Sequence, residues 1–354
     1  EDGANGETWS IHGGGFYHIQ KYLVAPGRMP AELHWFKWEA YMTWISGFAL
    51  MVIVYYLGAE SYLIDRSVLD LSPAAAIAIS VASLALGWIV YDLLCRSPLR
   101  ERSAILFGVL FVFIVFSAYG FGLVFSDRAA FLHVGAMIAT MMSANVFLVI
   151  IPNQKRVVTT LTIGETPDPA MGKAAKLRST HNNYLTLSVL FMMISIHYPV
   201  VFGHDWSWLV VALVLVLGGV VREFFNARNA GRTGNALLWQ WPIAIILAVA
   251  LIILTAWKPD GDIPLEGKVL TPEALAIVQV RCTPCHSARP SDEDVGVAPG
   301  GIKFDDGAML KAHAAKVLAQ SVLTDAMPIG NKTEMTAEER AQLGIWIRAG
   351  MPDE

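Results

Sequence analysis

Residues 133–156 read HVGAMIATMMSANVFLVIIPNQKR. No Asp, Glu, Lys or Arg interrupts the run before Lys155 and Arg156. Crossing about 30 Å of hydrocarbon takes about 20 mostly apolar residues in a helix, and residues 129–151 supply them. Gly135, Ala136, Ala139, Ser143 and Ala144 are small enough to let neighbouring helices approach closely. Asn145, inside the run, reads as a polar group satisfied by another helix.

Working outward, the same signal recurs at 39–58, 73–94, 103–125, 183–202, 207–225 and 236–257, about seven spans in all. The stretch 183–202 is the weakest, with Asn183, His197 and Pro199 near its ends. The chain is 55% hydrophobic and only 16% charged, with a mean hydropathy of +0.48. That excludes an ordinary soluble protein. The net charge of −4 divides unevenly. Up to Trp257 there are 16 Lys/Arg against 15 Asp/Glu, and from Lys258 onward 10 against 15. The body is near neutral and the tail acidic, which argues against a nucleic-acid partner and for membrane lipid around the body. No Met or leader-like segment opens the chain, so its start reads as missing or processed, or a later helix directs insertion.

Cationic residues set the orientation. Lys21, Arg28 and Lys37 precede the first span. Arg96, Arg100 and Arg102 follow the second, and Lys155, Arg156, Lys173, Lys176 and Arg178 follow the fourth. Arg222, Arg228 and Arg232 lie at the end of the sixth or between it and the seventh, whereas the other side has only Arg66, Arg128 and Lys258. The expected topology has a cytoplasmic amino end and, after seven crossings, a periplasmic tail at a bacterial inner membrane.

That tail, after a linker at 258–270, carries Cys282-Thr283-Pro284-Cys285-His286. In C-x-x-C-H the two thiols bond a haem and the histidine ligates its iron. A helix from Thr271, with Thr271 as N-cap and Pro272 at the first helical position, leads into the motif. A second follows, with Thr336 and Glu339 spaced as a capping box, Leu343, Trp346 and Ile347 as its apolar side, and Gly350 as its stop. Met327, in a Met-Pro loop before that helix, is the expected sixth ligand, ahead of Met335, Met309 and His313. Residues 271–354 thus read as a small class I cytochrome c domain, and no second Cys/His pair suggests zinc. Cys95 is left without a partner for a disulfide.

Histidines near the span ends are functional candidates by cost alone. His34 and His181 fall at one membrane face, and His133 and His197 near the other. Pairs among His34, His133 and His197 are candidate ligands of a haem b; the competing reading is interfacial caps. The opening Ser10-Ile11-His12-Gly13-Gly14-Gly15 offers either an anion-approachable backbone or a tight turn. The expected substrate site combines residues 13–15 and Arg178 with His12 or His181 as general base.

IHGGGFYHIQKYLVAPGRMP (11–30), HWFKWEAYMTW (34–44), HVGAMIATMM (133–142), IPNQKRVV (151–158), RSTHNNYLTLSVLF (178–191) and HYP (197–199) together resemble the bacterial membrane-bound urate oxidase (urate hydroxylase) family with a C-terminal cytochrome c domain. The resemblance implies an oxidoreductase of purine catabolism. Urate would become 5-hydroxyisourate, with electrons leaving through haem c to a respiratory cytochrome oxidase or soluble cytochrome instead of O2. It also implies eight spans in the full protein, so this chain would lack one amino-terminal helix. The fold expected is all-α: a polytopic bundle over 1–257 and the cytochrome domain over 271–354. The alternative is a tethered cytochrome c that relays electrons from quinol or a partner dehydrogenase and has no substrate of its own.

Overall fold

The computed structural model describes residues 4–22, 26, 29–30, 32–256 and 267–354. Residues 258–266 of the expected linker, with Arg28 and Lys258, lie outside them. The chain divides into two units, 1–44 with 142–181 and 45–141 with 182–354.

The first unit corrects the all-α expectation. Strands β1 (Ala4–His12) and β2 (Gly15–Tyr22) pair antiparallel, with Trp9 opposite His18 and His12 opposite Gly15. Between them Gly13 and Gly14 have φ of +55° and +79°. Two successive positive φ values make the tight hairpin turn that suits strand twist, and glycine adopts them without a β-carbon clash. Trp9 and His18 stack at 4.2 Å, and His18 Nε2 bonds Glu7 at 2.9 Å. The tight-turn reading of the three glycines is the one realised.

Among the described residues, six helices are long and apolar enough to cross a membrane. They are α1 (Trp38–Tyr56), α2 (Pro73–Arg96), α3 (Ser103–Gly122), α4 (Asp127–Thr162), then α6 (Ser207–Asn229) and α7 (Asn235–Ala256). The expected span at 183–202 belongs to a different element, α5 (Pro169–Ser195). At 27 residues α5 is about 40 Å long, but its first half carries Lys173, Lys176, Arg178 and His181. It ends at Ser195 before a one-turn helix, Pro199–Phe202. So α5 has the length of a span without the composition, and among the described residues six helices meet both criteria where about seven were expected.

Contacts within the second unit show which helix ends meet. Ser126, after α3, donates from its hydroxyl to Tyr62 O at 2.8 Å and from its N–H to Leu63 O at 3.1 Å. A β-carbon on Gly203, after α5, would lie 3.4 Å from Thr324 of the tail. A β-carbon on Gly330 of the tail would lie 2.6 Å from Ile64 O, so the loops after α1, α3 and α5 share an end with the tail.

Small residues set the helix spacing. A β-carbon on Gly135 of α4 would lie 3.1 Å from Met192 of α5, and one on Gly218 of α6 only 2.8 Å from Ser188. Gly87 of α2 is tighter still, 2.6 Å from Met137.

The tail has its own core. Helix α8 (Thr271–Arg281) and helix α9 (Ala337–Arg348) bury Val278, Leu310, Met335, Leu343 and Trp346 together. Leu270, not Thr271, is the N-cap of α8. The Thr271 hydroxyl donates instead to Pro352 O at 2.9 Å and accepts from the Trp346 indole at 3.1 Å, tying the two ends of the segment. On α9 the expected capping box forms: Thr336 Oγ1 accepts from Glu339 N, and Glu339 Oε2 from Thr336 N. Gly350, at φ +81°, follows its last turn.

Candidate functional site

Arg178 and His181 are buried one turn apart on α5, at 3% and 0% exposure. The Arg178 guanidinium donates to Asn145 Oδ1 at 3.4 Å, and Asn145 is itself buried. Asn145 opens a π-helical stretch, Asn145–Ile150, within α4. Such a widened turn displaces side chains from the regular helical pattern and is frequent at functional sites. Asn145 is the interhelical polar group expected, and its partner is the arginine proposed for the substrate.

His12 also belongs to the first unit. It is exposed at the hairpin tip, and its side chain makes no hydrogen bond, ion pair or ring contact among the described residues. Gly13 and Gly14 are exposed beside it. His34 is exposed and meets Phe36 edge-on at 4.6 Å. His197 is exposed in the turn after α5.

His133 is fully buried, and both its nitrogens are engaged. Nδ1 donates to Ala129 O at 2.7 Å, which makes Nε2 the acceptor; Ser80 Oγ donates to it at 2.6 Å. Ser80 in turn accepts from Tyr56 at 2.8 Å. The Phe125 ring stacks on the imidazole at 4.5 Å. These contacts leave His133 no free nitrogen for a haem iron, so the arrangement does not fit a haem b on this residue.

A second polar cluster joins α5 and α6. Asn183 Oδ1 accepts from Arg222 Nε at 3.2 Å and from Asn226 Nδ2 at 3.0 Å. The Tyr184 hydroxyl donates to Glu223, which pairs with Arg232 at 3.3 Å. His-Asn-Asn-Tyr at 181–184 stands out in the sequence, whereas Glu223 does not. The available signal was Arg222, Glu223 and Asn226 interrupting one end of an apolar helix.

In the tail, α8 delivers Cys282 into a turn in which Cys285 N and His286 N donate to Cys282 O at 3.2 and 2.8 Å. His286 Nδ1 donates to Ile302 O at 3.1 Å, and Phe304 N to His286 O at 2.9 Å. With Nδ1 as the donor, Nε2 is the nitrogen that would ligate a metal, and the Ile302 carbonyl would be the outer-shell partner that orients such histidines. Burial pushes the Cys282 thiol up to about 12. These residues fit a covalent haem. Met335 is 3% exposed and packed in the tail's core, while Met327 is half-buried on a loop. Arg340 Nη1 donates to both Met327 O and Ser321 O at 2.7 Å, and Met327 N donates to Gln320 O at 2.8 Å. The loop is thereby held on both sides of its methionine.

Helices with buried arginine, asparagine and histidine, long enough to span a bilayer and followed by a separate helical segment, define a multi-pass membrane protein with polar sites inside its bundle. The chain belongs to the urate oxidase N-terminal family, whose model matches residues 1–256. No curated protein and no solved structure matches it.

Proposed function

We propose that this protein oxidises urate to 5-hydroxyisourate in the membrane and releases the electrons through a haem c held by its tail. The observation that carries the substrate is the urate oxidase family match over the whole helical body. The electron route is supported by Cys282, Cys285 and His286 on one turn, with the His286 ring held by Ile302 O. Urate and water yield 5-hydroxyisourate, two electrons and two protons, so a one-electron carrier must turn over twice for each urate.

Arg178 and His181 are the residues assigned to the urate anion. A planar guanidinium suits a flat anionic heterocycle through paired N–H donors, and an adjacent imidazole can take a proton from it. His181 is preferred to His12 as the base because it is buried beside Arg178, whereas His12 is exposed at the hairpin tip. In the tail, Cys282 and Cys285 would hold the porphyrin, and His286 and Met327 the iron. A bound haem would supply one-electron redox chemistry, with the thioether ligand favouring a higher potential. The electrons would pass to a respiratory oxidase or a soluble cytochrome. The topology assigned is that of a bacterial inner-membrane protein with a cytoplasmic amino end and a periplasmic tail. It rests on the cation asymmetry and on the tail sharing an end with the loops after α1, α3 and α5.

The test is anaerobic addition of urate to the protein in membranes while haem c absorbance is followed. Reduction by urate, abolished in Cys282→Ala, is expected. Reduction by quinol and not by urate would overturn the reading in favour of a tethered carrier.

A further inference from the structure

The loop that carries Met327 does not stand free of the helical bundle. Three residues after Met327, Gly330 lies against the backbone that follows α1. A β-carbon there would come within 2.6 Å of Ile64 O, 2.9 Å of Ser61 O and 3.3 Å of Glu60 O. No side chain fits against three carbonyl oxygens at such distances, and the φ of +56° at Gly330 independently favours glycine. Three residues before Met327, Thr324 is 3% exposed and packs on Gly203. Arg128 and Asp325 line a small cavity between these two contacts, with Asp65 and Asp127. At the margin the Ser61 hydroxyl donates to Asp294 at 3.4 Å, and Lys332 holds Asp292 and Asp294 at 2.8 Å each.

We infer that the 324–331 loop is a docking element seated on the bundle end formed by residues 60–64 and Gly203, and that electrons enter the haem iron across this contact beside Met327. The inference rests on the haem c reading above for its second half only. Its physical basis is that the bundle touches the tail on both sides of the iron's sixth ligand. The loop that would supply the sixth ligand is thus also a part of the tail that touches the membrane helices. Gly330 is a positioning residue: it allows a backbone-to-backbone approach that any larger residue would hold off.

The experiment uses the full chain in membranes. Ser61→Cys with Asp294→Cys is oxidised and the cross-linked fraction read by gel mobility, alone and combined with Gly330→Val. In parallel, urate-driven reduction of haem c is timed in the unaltered protein, in Gly330→Val and in the cross-linked pair. The docked geometry predicts efficient cross-linking that Gly330→Val suppresses severalfold, with the haem spectrum intact. It also predicts slowing of haem reduction by Gly330→Val on the order of tenfold or more, as misplacement of reacting groups does, and an unslowed rate in the cross-linked protein. The cross-linked pair does not depend on how well Gly330→Val folds. A cross-link that does not form, or a locked protein whose haem reduction is slowed, would overturn the inference. If urate fails to reduce haem c even in the unaltered protein while the cross-link still forms and Gly330→Val suppresses it, the urate reading falls and the docking contact stands. The entry claim is then judged with quinol as donor, by the same comparison of locked and unlocked protein.

Discussion

Ser80 and His133 are 53 residues apart in sequence, and the Ser80 hydroxyl donates to His133 Nε2 at 2.6 Å inside the bundle. Because His133 Nδ1 is committed to Ala129 O, the imidazole has one acceptor, and Ser80 fills it. Tyr56 completes the chain by donating to Ser80. Three helices, α1, α2 and α4, are tied together by two hydrogen bonds.

Ser80→Ala should leave that buried nitrogen without its donor, at a cost of about 1–3 kcal/mol. Tyr56→Phe, which leaves Ser80 able to donate, should cost about 0.5–1.5 kcal/mol. Thermal unfolding in detergent reads both. In the same preparations, His133→Gln should leave the reduced-minus-oxidised visible spectrum unchanged. Disappearance of a b-type band in that variant would show that His133 ligates a haem after all.

His181→Gln should slow urate-driven reduction of haem c by about 10²–10⁴-fold, the usual contribution of a positioned general base. His12→Gln should change it less than about twofold, because a side chain at the hairpin tip cannot supply a base's contribution. Anaerobic stopped-flow mixing with urate distinguishes the two. Equal losses would place the hairpin tip in the active site.

Arg340→Lys should loosen the Met327 loop. One guanidinium nitrogen bridges Met327 O and Ser321 O, and Arg340 also pairs with Asp325 at 3.3 Å. A lysine ammonium lacks the planar fork that serves such partners together. The expected result is partial loss of the charge-transfer band of Met-ligated ferric haem and a lower potential. An unchanged band and potential would mean that Met327 is not the ligand.

Lys332 and Asp294 give the docking margin a pH window. The hydrogen bond from Lys332 holds the Asp294 carboxyl below its ordinary value near 3.8. Burial pulls the Lys332 ammonium down, but its bonds to Asp292 and Asp294 outweigh that and raise it above its ordinary value near 10.5. A depressed acid contributes stability above its unfolded value and loses it as pH falls through the folded one. A raised base contributes below its unfolded value and loses it as pH rises through the folded one. The pair should therefore be fully effective across the neutral range and weaken in strong acid and strong alkali. Asp294 is 65% exposed, so the contribution is about 0–1 kcal/mol. Lys332→Met should flatten the pH dependence of the melting temperature at both extremes, which thermal unfolding across pH checks.

Glycine packing offers a stability test. Gly87→Ala would place its β-carbon 2.6 Å from Met137 Cγ and 2.9 Å from its sulfur, in a site where Met137 is 1% exposed. Overpacking of this kind costs about 1–3 kcal/mol. Gly108→Ala, with nothing within 4 Å of the new carbon, should be neutral or slightly stabilising because alanine favours helix. A difference in melting temperature between the two checks it.

What the sequence by itself determined lies within windows of about 20 residues. The apolar runs of the six helices long enough to cross a membrane, the Cys-Thr-Pro-Cys-His pentapeptide and the Thr336–Glu339 capping box are local patterns. Bilayer thickness, the fixed spacing of the pentapeptide and one helical turn set their lengths. Tertiary structure decided the rest. The 4–22 hairpin escaped a reading tuned to long apolar periods, because its strands are short and expose Trp9, Ile11, Phe16 and Ile19. The 183–202 span was displaced because backbone hydrogen bonding carries α5 on from Pro169 through charged residues and ends it at Ser195. Thr271 looked like a cap, but Pro352 and Trp346 claimed its hydroxyl. His133 reads as a haem ligand until Ser80 and Ala129 are seen at its two nitrogens. Gly330 gives no sign in sequence of the carbonyls of residues 60–64, more than 260 positions away. Partners so distant in the chain leave no periodicity to read, and only the folded packing brings them within hydrogen-bonding or van der Waals range.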